Sequence, residues 1–173
     1  EGRMIALLGD AELDEGNIHE ALIEGWKQGL RNCWWIIDYN RQSLDAVVHE
    51  DLYKKFEIMF ANYGWDVVVI KYGKALQAAF AEAGGDALRS WIDRCPNQVY
   101  AALCFQGGAA FRKRLEADLA HDSGALALIG RRSDDDLLAL MSNLGGHDME
   151  SLLEAFHAVR NDRPVCFIAY TIK

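Results

Sequence analysis

The stretch MIALLGDAELDEGNIHEALIEGWKQGLRNCWWIIDYN, residues 4–40, decides the fold. Two apolar runs, Met4–Leu8 and Cys33–Asp38, bracket a segment of helical spacing. Neither run alternates apolar with polar residues, which is how strands buried on both faces of a parallel sheet read. Between them Ile18, Leu22, Trp26 and Leu30 recur at the interval of one helix face, and Asn17 with Glu20 forms a capping pair at its start. Further out, Asp66–Ile70 and Val165–Thr171 repeat the strand pattern. A second helical stripe, Leu52, Phe56, Met59 and Phe60, closes at Gly64, a residue able to take the left-handed conformation that ends helices. Strand, helix, strand, helix, strand in this order predicts an α/β domain, a parallel sheet with right-handed crossovers and helices on both faces.

Residues 74–144 interrupt the alternation. The pattern there is helical throughout, with breaks at Gly84-Gly85, Cys95-Pro96, Gly107-Gly108 and Gly130 and no strand-like run. No Pro/Ser-rich linker flanks the segment, so it reads as a helical insertion carried on one domain spanning residues 1–173. A last helix, N-capped by Asp148 and buried along Leu152, Leu153, Phe156 and Val159, leads into the last strand. Glu1-Gly2-Arg3 runs directly into a strand and Tyr170-Thr171-Ile172-Lys173 stops on one, so both ends read as cut from something longer.

Bulk properties narrow the function classes. A chain of 173 residues with 51% hydrophobic content buries roughly 70% of its unfolded surface in one core, with no need of a disulfide or structural metal. Lys and Arg total 18 against 26 Asp and Glu, a net charge of −8, and the basic clusters Arg112-Lys113-Arg114 and Arg131-Arg132 are interleaved with carboxylates, which argues against nucleic acid as a partner. Cys33, Cys95, Cys104 and Cys166 sit in apolar runs without CxxC spacing, as buried free thiols in a reducing compartment do. No apolar stretch approaches the ~20 residues of a membrane span and no signal peptide opens the chain, so a cytoplasmic, membrane-free protein is expected.

Two groups of oxygen donors emerge where the first two strands end. Leu8-Gly9-Asp10-Ala11-Glu12 follows one strand and Asp38-Tyr39-Asn40-Arg41-Gln42 the other, and open α/β sheets bind small molecules in the crevice beyond strand carboxyl ends. Asp10 offers a carboxylate, Asn40 an amide oxygen, and Gln42 a side-chain or backbone carbonyl oxygen, a hard set suited to a small cation that also takes phosphate oxygens and water. The backbone amides of Ala11 and Glu12 are candidate phosphate donors, and a helix starting near Asn17 adds its dipole if it points inward.

The run Gly9-Asp10-Ala11-Glu12-Leu13-Asp14-Glu15-Gly16-Asn17, closed by Asn40, resembles the thiamine-diphosphate fingerprint that opens with Gly-Asp-Gly and ends with Asn. That resemblance implies magnesium held by Asp10 and Asn40 through side chains and by Gln42 through its carbonyl. It places Gly9, Asp10, Ala11, Glu12, Asn40, Gln42 and Leu44 around the cofactor, Leu44 near the thiazolium ring; simple core packing is the other reading of Leu44. Within the superfamily, transketolases bring a Gly-His-Asp segment soon after the Gly64-Trp65 strand. Here Gly146-His147-Asp148 follows the long helical segment instead. In this respect, and at Gly108-Ala109-Ala110-Phe111-Arg112, Asn143-Leu144-Gly145-Gly146-His147-Asp148 and Thr171-Ile172-Lys173, the chain is similar to the homodimeric decarboxylating components of bacterial pyruvate dehydrogenase complexes.

The resemblance implies a fragment of a homodimeric enzyme that oxidatively decarboxylates a 2-oxo acid, pyruvate, and passes the two-carbon unit to a lipoyl group on an acetyltransferase partner. Ketol transfer of the transketolase type and a non-catalytic cofactor binder are the alternatives. Position 11 departs from the family, carrying Ala for the usual Gly, which is tolerable unless the backbone needs positive φ or a very close approach there. Glu12 and Glu15 read as a charge pair at a helix start, Trp34-Trp35 as core, and His147 as structural, at a helix start. No catalytic acid or base is assigned within these residues, because the family's proton-transfer groups belong to other segments.

Overall fold

The computed structural model describes residues 2–43, 46–47, 51–160 and 162–172. In chain order it runs β1 (Met4–Gly9), a short 3-10 helix (Asp10–Asp14), α1 (Gly16–Lys27), β2 (Cys33–Tyr39), the two-residue strands β3 (Gln42–Ser43) and β4 (Ala46–Val47), α2 (Leu52–Asn62) and β5 (Asp66–Ile70). Six helices follow, α3 (Lys74–Phe80), α4 (Gly85–Arg94), α5 (Asn97–Gln106), α6 (Gly108–Asp118), α7 (Ser123–Gly130) and α8 (Asp134–Met141), then α9 (Met149–Ala158) and β6 (Val165–Tyr170).

The four long strands form one sheet in the order β1-β2-β6-β5, with every neighbouring pair parallel. The last strand in sequence therefore lies inside the sheet, and all six of its residues are buried. This is why Val165–Tyr170 carries no polar alternation. On one face Trp35 meets Phe60 of α2 and Trp65 at ring separations of 5.8 and 5.0 Å, and that core continues through Leu22 of α1 into the helical segment at Leu76, Tyr100 and Phe111. On the other face Trp34 and Phe167 pack on Phe156 of α9, with Leu152 and Val159 beside them. Both tryptophans are core, as their sequence context predicts.

Four sequence expectations need correction. β1 is an edge strand, so Ile5 and Leu7, on the face that α9 covers further along the sheet, remain 57% and 74% exposed. Helix α1, lying at that edge, buries only Leu22; Trp26 is 63% exposed and Leu30 falls beyond the helix end. Leu153 of α9 faces outward in the same way, 47% exposed, while Leu152, Phe156 and Val159 do pack on the sheet. Asn17 does not cap α1. The 3-10 helix closes with Glu15 N–H donating to the Glu12 carbonyl at 3.2 Å, which leaves Glu15 extended in the cap position and Asn17 already inside the first turn.

Other boundaries agree with the sequence. Gly64 has φ 79° just after α2, the left-handed conformation that only glycine takes without strain. Asp148 caps α9, its carboxylate accepting from Ser151 N–H at 2.8 Å. Asp148→Ala is expected to cost about 1–2 kcal/mol, read as a lower urea midpoint at unchanged slope; an unmoved midpoint would show the cap to be dispensable. Among the described residues, no helix is long and apolar enough to cross a membrane.

Candidate functional site

The parallel pairing of β1 and β2 sets Gly9 opposite Asp38, so the turns that follow both strands leave the sheet side by side. Asp10 is buried there, 3% exposed, with each carboxylate oxygen held by a backbone amide: Oδ1 accepts from its own neighbour Ala11 at 3.0 Å and Oδ2 from Arg41 at 2.8 Å. The second bond ties the end of β1 to the end of β2. Arg41 has φ 66°, a left-handed conformation unusual for a long side chain, and this turns its N–H toward Asp10. Asn40 Oδ1 accepts from Gln42 N–H at 3.0 Å, fixing the same turn from the other side. Burial, with the Asp38 carboxylate nearby, pushes the Asp10 carboxyl above its ordinary range despite the two amides. A cation at this point would offset that buried charge.

Asp10, Asn40 and Gln42 are thus brought to one pair of adjacent turns. Leu44 lies outside the described residues. Glu12 is turned back on its own segment, Oε1 accepting from Gly9 N–H at 3.1 Å, in line with a helix-start role. Ala11 sits in the 3-10 helix and is absent from the positive-φ residues, so its methyl group meets no backbone obstacle to the expected conformation. Its N–H, however, is engaged by Asp10 rather than directed outward. Among the described residues no three His, Cys, Asp or Glu gather as a metal cluster; the predicted set contains one such residue, with amide and carbonyl oxygens making up the rest. As a donor set it fits a hard divalent cation.

Sequence reasoning missed the other half of this end of the sheet. The Arg41 side chain runs from the ligand turn toward the helical segment, buried at 8% exposure, with Nη1 donating to Asn97 Oδ1 at 3.5 Å and Nη2 to the Thr171 carbonyl at 3.1 Å. Beyond the end of β5, Lys71 and the Tyr72 hydroxyl both bind the Asp93 carboxylate. Burial and that carboxylate raise the Tyr72 hydroxyl far above the usual phenol range, while Lys71 and Tyr72 together hold Asp93 low despite partial burial. Thr171 donates its hydroxyl to Asp38 at the end of β2. The charged residues of Asn40-Arg41-Gln42 and Ile70-Lys71-Tyr72, each directly after an apolar strand, were the available signal.

The segment Asn143–Asp148 stitches this end together. Asn143 Oδ1 accepts from Ala75 N–H at 3.0 Å at the start of α3, its amide donates to Asp148 at 3.2 Å, and a Cβ on Gly145 would lie 2.4 Å from the Ile70 carbonyl. His147 stands in a 3-10 turn before α9 and accepts from Ile172 N–H at 2.9 Å through Nε2. That bond fixes the chain just after β6.

No family model matches the chain. Curated relatives do. It is 27% identical over 174 residues to a protein of Haemophilus influenzae named pyruvate dehydrogenase E1 component, covering 99% of this chain. Proteins of the same name from Mycobacterium tuberculosis and Escherichia coli K12 are 28% and 25% identical over 170 and 172 residues, 96% and 97% of this chain. The chain spans only 18–19% of the length of these relatives.

Proposed function

We propose that residues 1–173, with the helical insertion at about 74–144, form most of the diphosphate-binding domain of a thiamine-diphosphate enzyme of the pyruvate dehydrogenase E1 kind. The observation that carries this reading is the pair of turns at the ends of β1 and β2, where buried Asp10 is held by the Arg41 amide and Asn40 stands beside it. The similarity to proteins named pyruvate dehydrogenase E1 component supports the same reading. Asp10, Asn40 and the Gln42 carbonyl would hold magnesium, which in turn anchors the diphosphate; Gly9, Ala11, Glu12 and Leu44 would line the cofactor.

When bound, thiamine diphosphate supplies the carbanion chemistry that a 2-oxo acid needs in order to lose carbon dioxide. The residues present here hold and orient its diphosphate end, and none is assigned as a proton-transfer group. The complete protein is proposed to be a homodimer that decarboxylates pyruvate and acetylates a lipoyl-bearing acetyltransferase. A second reading, a cofactor binder without turnover, draws on Ala11, whose N–H is occupied by Asp10.

The test is a calorimetric titration of this chain and of its full-length protein with thiamine diphosphate in excess magnesium, followed by reductive acetylation of a lipoyl domain by the full-length protein. The chain alone is expected to bind more weakly than the intact dimer by tenfold or more. The pyrimidine end of the cofactor gains no partner here, while the entropic cost of holding it stays. Comparable affinities would overturn the shared-site picture, and binding without lipoyl acetylation would favour the second reading.

A further inference from the structure

The carboxyl ends of β2, β6 and β5 enclose a space beside the Asp10 turn, which contributes Arg41 to its wall. Its inner part is a cavity of about 40 Å³ bordered by Tyr39, Arg41, Asn97, Tyr100, Tyr170 and Lys71. It adjoins an outer cleft of about 850 Å³, with which it shares Asp51, Tyr53, Lys71 and Asp93. Since about 10–15 Å³ is enough for one water, the inner cavity has room for a group of two or three heavy atoms.

Among the described residues bordering the inner cavity, Arg41 is the charged group with no ion pair. Of the two carboxylates that border the inner cavity, Asp93 is bound by Lys71 and Tyr72, and Asp51 pairs with Lys54 at 3.0 Å. Among the described residues Arg41, more than nine-tenths buried, has neutral hydrogen-bond partners, Asn97 and the Thr171 carbonyl, and two aromatic faces, Tyr100 and Tyr170 at 5.4 and 5.8 Å. Its Nε is a buried donor with no partner among the described residues. A guanidinium taken out of water costs several kcal/mol unless an anion meets it, and a carboxylate is the group whose planar pair of oxygens matches it best.

We propose that the inner cavity binds the carboxylate of a small organic acid against Arg41, with the remainder of the ligand lying in the outer cleft. Lys71 stands at the throat as a second cation, and Tyr53, Tyr72 and Phe80 give the cleft apolar walls for a short carbon chain. Asp10, Asn40 and Gln42 do not border the cavity, and what it shares with their turn is Arg41, whose N–H holds Asp10 while its guanidinium lines the cavity wall.

The experiment uses the purified chain without thiamine diphosphate or magnesium and follows binding of acetate, pyruvate and inorganic phosphate by calorimetry and thermal melting. Acetate and pyruvate are expected to bind saturably and raise the melting temperature. Asn97→Asp places a carboxylate of the protein's own beside the guanidinium. It is expected to raise the melting temperature and to weaken both ligands at least tenfold, and the stabilisation should vanish when Arg41→Met is added. Failure of the unaltered chain to bind either acid would overturn the proposal, as would undiminished binding by Asn97→Asp. Phosphate binding as tightly as acetate would overturn the assignment to carboxylates. Pyruvate binding more tightly than acetate supports the outer-cleft half, which equal affinities would overturn.

Discussion

Asp10→Asn and Asn40→Ala are each expected to weaken binding of thiamine diphosphate with magnesium by at least about 100-fold, close to 3 kcal/mol. Asp10 is the single carboxylate of the predicted ligand set, and the asparagine replaces an anionic oxygen by an amide nitrogen that points a donor at a donor. One of the two backbone amides now satisfied, Ala11 at 3.0 Å or Arg41 at 2.8 Å, would lose its acceptor. A buried amide left that way costs about 1–3 kcal/mol, so this variant should also melt earlier in the absence of cofactor. Asn40→Ala removes the oxygen that accepts from Gln42 N–H and frees the turn whose carbonyl is the third ligand. Calorimetry with excess magnesium measures the first effect and metal-free melting the second. Unchanged affinity in both variants would place the metal elsewhere.

The same geometry fixes a pH dependence. Burial and Asp38 hold the Asp10 carboxyl above the ordinary carboxylate range. A proton and a magnesium ion compete for it, so cofactor affinity should fall as pH is lowered through that raised value. In the metal-free chain the sign for stability is opposite. The folded form favours the proton more than the unfolded chain does, so this group's contribution is present below the ordinary carboxylate value and is lost as pH rises through the raised one.

The strands were legible because parallel strands covered on both sides must be apolar throughout, and β6, buried at every position between β2 and β5, is the extreme case. β1 reads identically in sequence yet lies at the edge, since nothing local distinguishes a covered face from an uncovered one. Helix breaks in residues 74–144 were visible at glycines and proline, apart from the turn between α6 and α7, where Leu119–Asp122 carries neither. Of the site, Asp10 and Asn40 were readable from the turns they occupy. Arg41 with Asn97, Lys71 with Asp93, and Thr171 with Asp38 were not, because each pair joins residues far apart in the chain that only the strand order and the helical segment bring together. Asn143–Asp148 stood out by resemblance, and its structure supplies a physical reason: it caps α3 and α9 at once and packs glycine against β5.

Gly108→Ala is expected to destabilise the chain by about 3 kcal/mol or more, beyond the usual 1–3 kcal/mol of an overpacked site. A Cβ at this position would stand 1.8 Å from the Asp134 carbonyl oxygen and 2.4 Å from its carbon, backbone atoms that no side-chain rotation can clear. Helices α6 and α8 would have to move apart. Arg112 resists that movement, since Nε bonds Asp134 Oδ1 at 2.5 Å while Nη1 and Nη2 bond the carbonyls of Ile129 and Arg132 at 3.1 and 2.5 Å. Phe111, fully buried beside Tyr100 at 5.6 Å, would be displaced with α6. At about 2–4 °C per kcal/mol for a chain of this size, the melting temperature should drop by roughly 6–12 °C. Because Tyr100 also borders the Arg41 cavity, the same substitution should weaken acetate binding while leaving the Asp10 turn intact. Thermal melting and an acetate titration measure the two effects. A melting temperature within 2 °C of the unaltered chain, on the same scale, would show that α6 and α8 are not held as closely as their backbone contact implies.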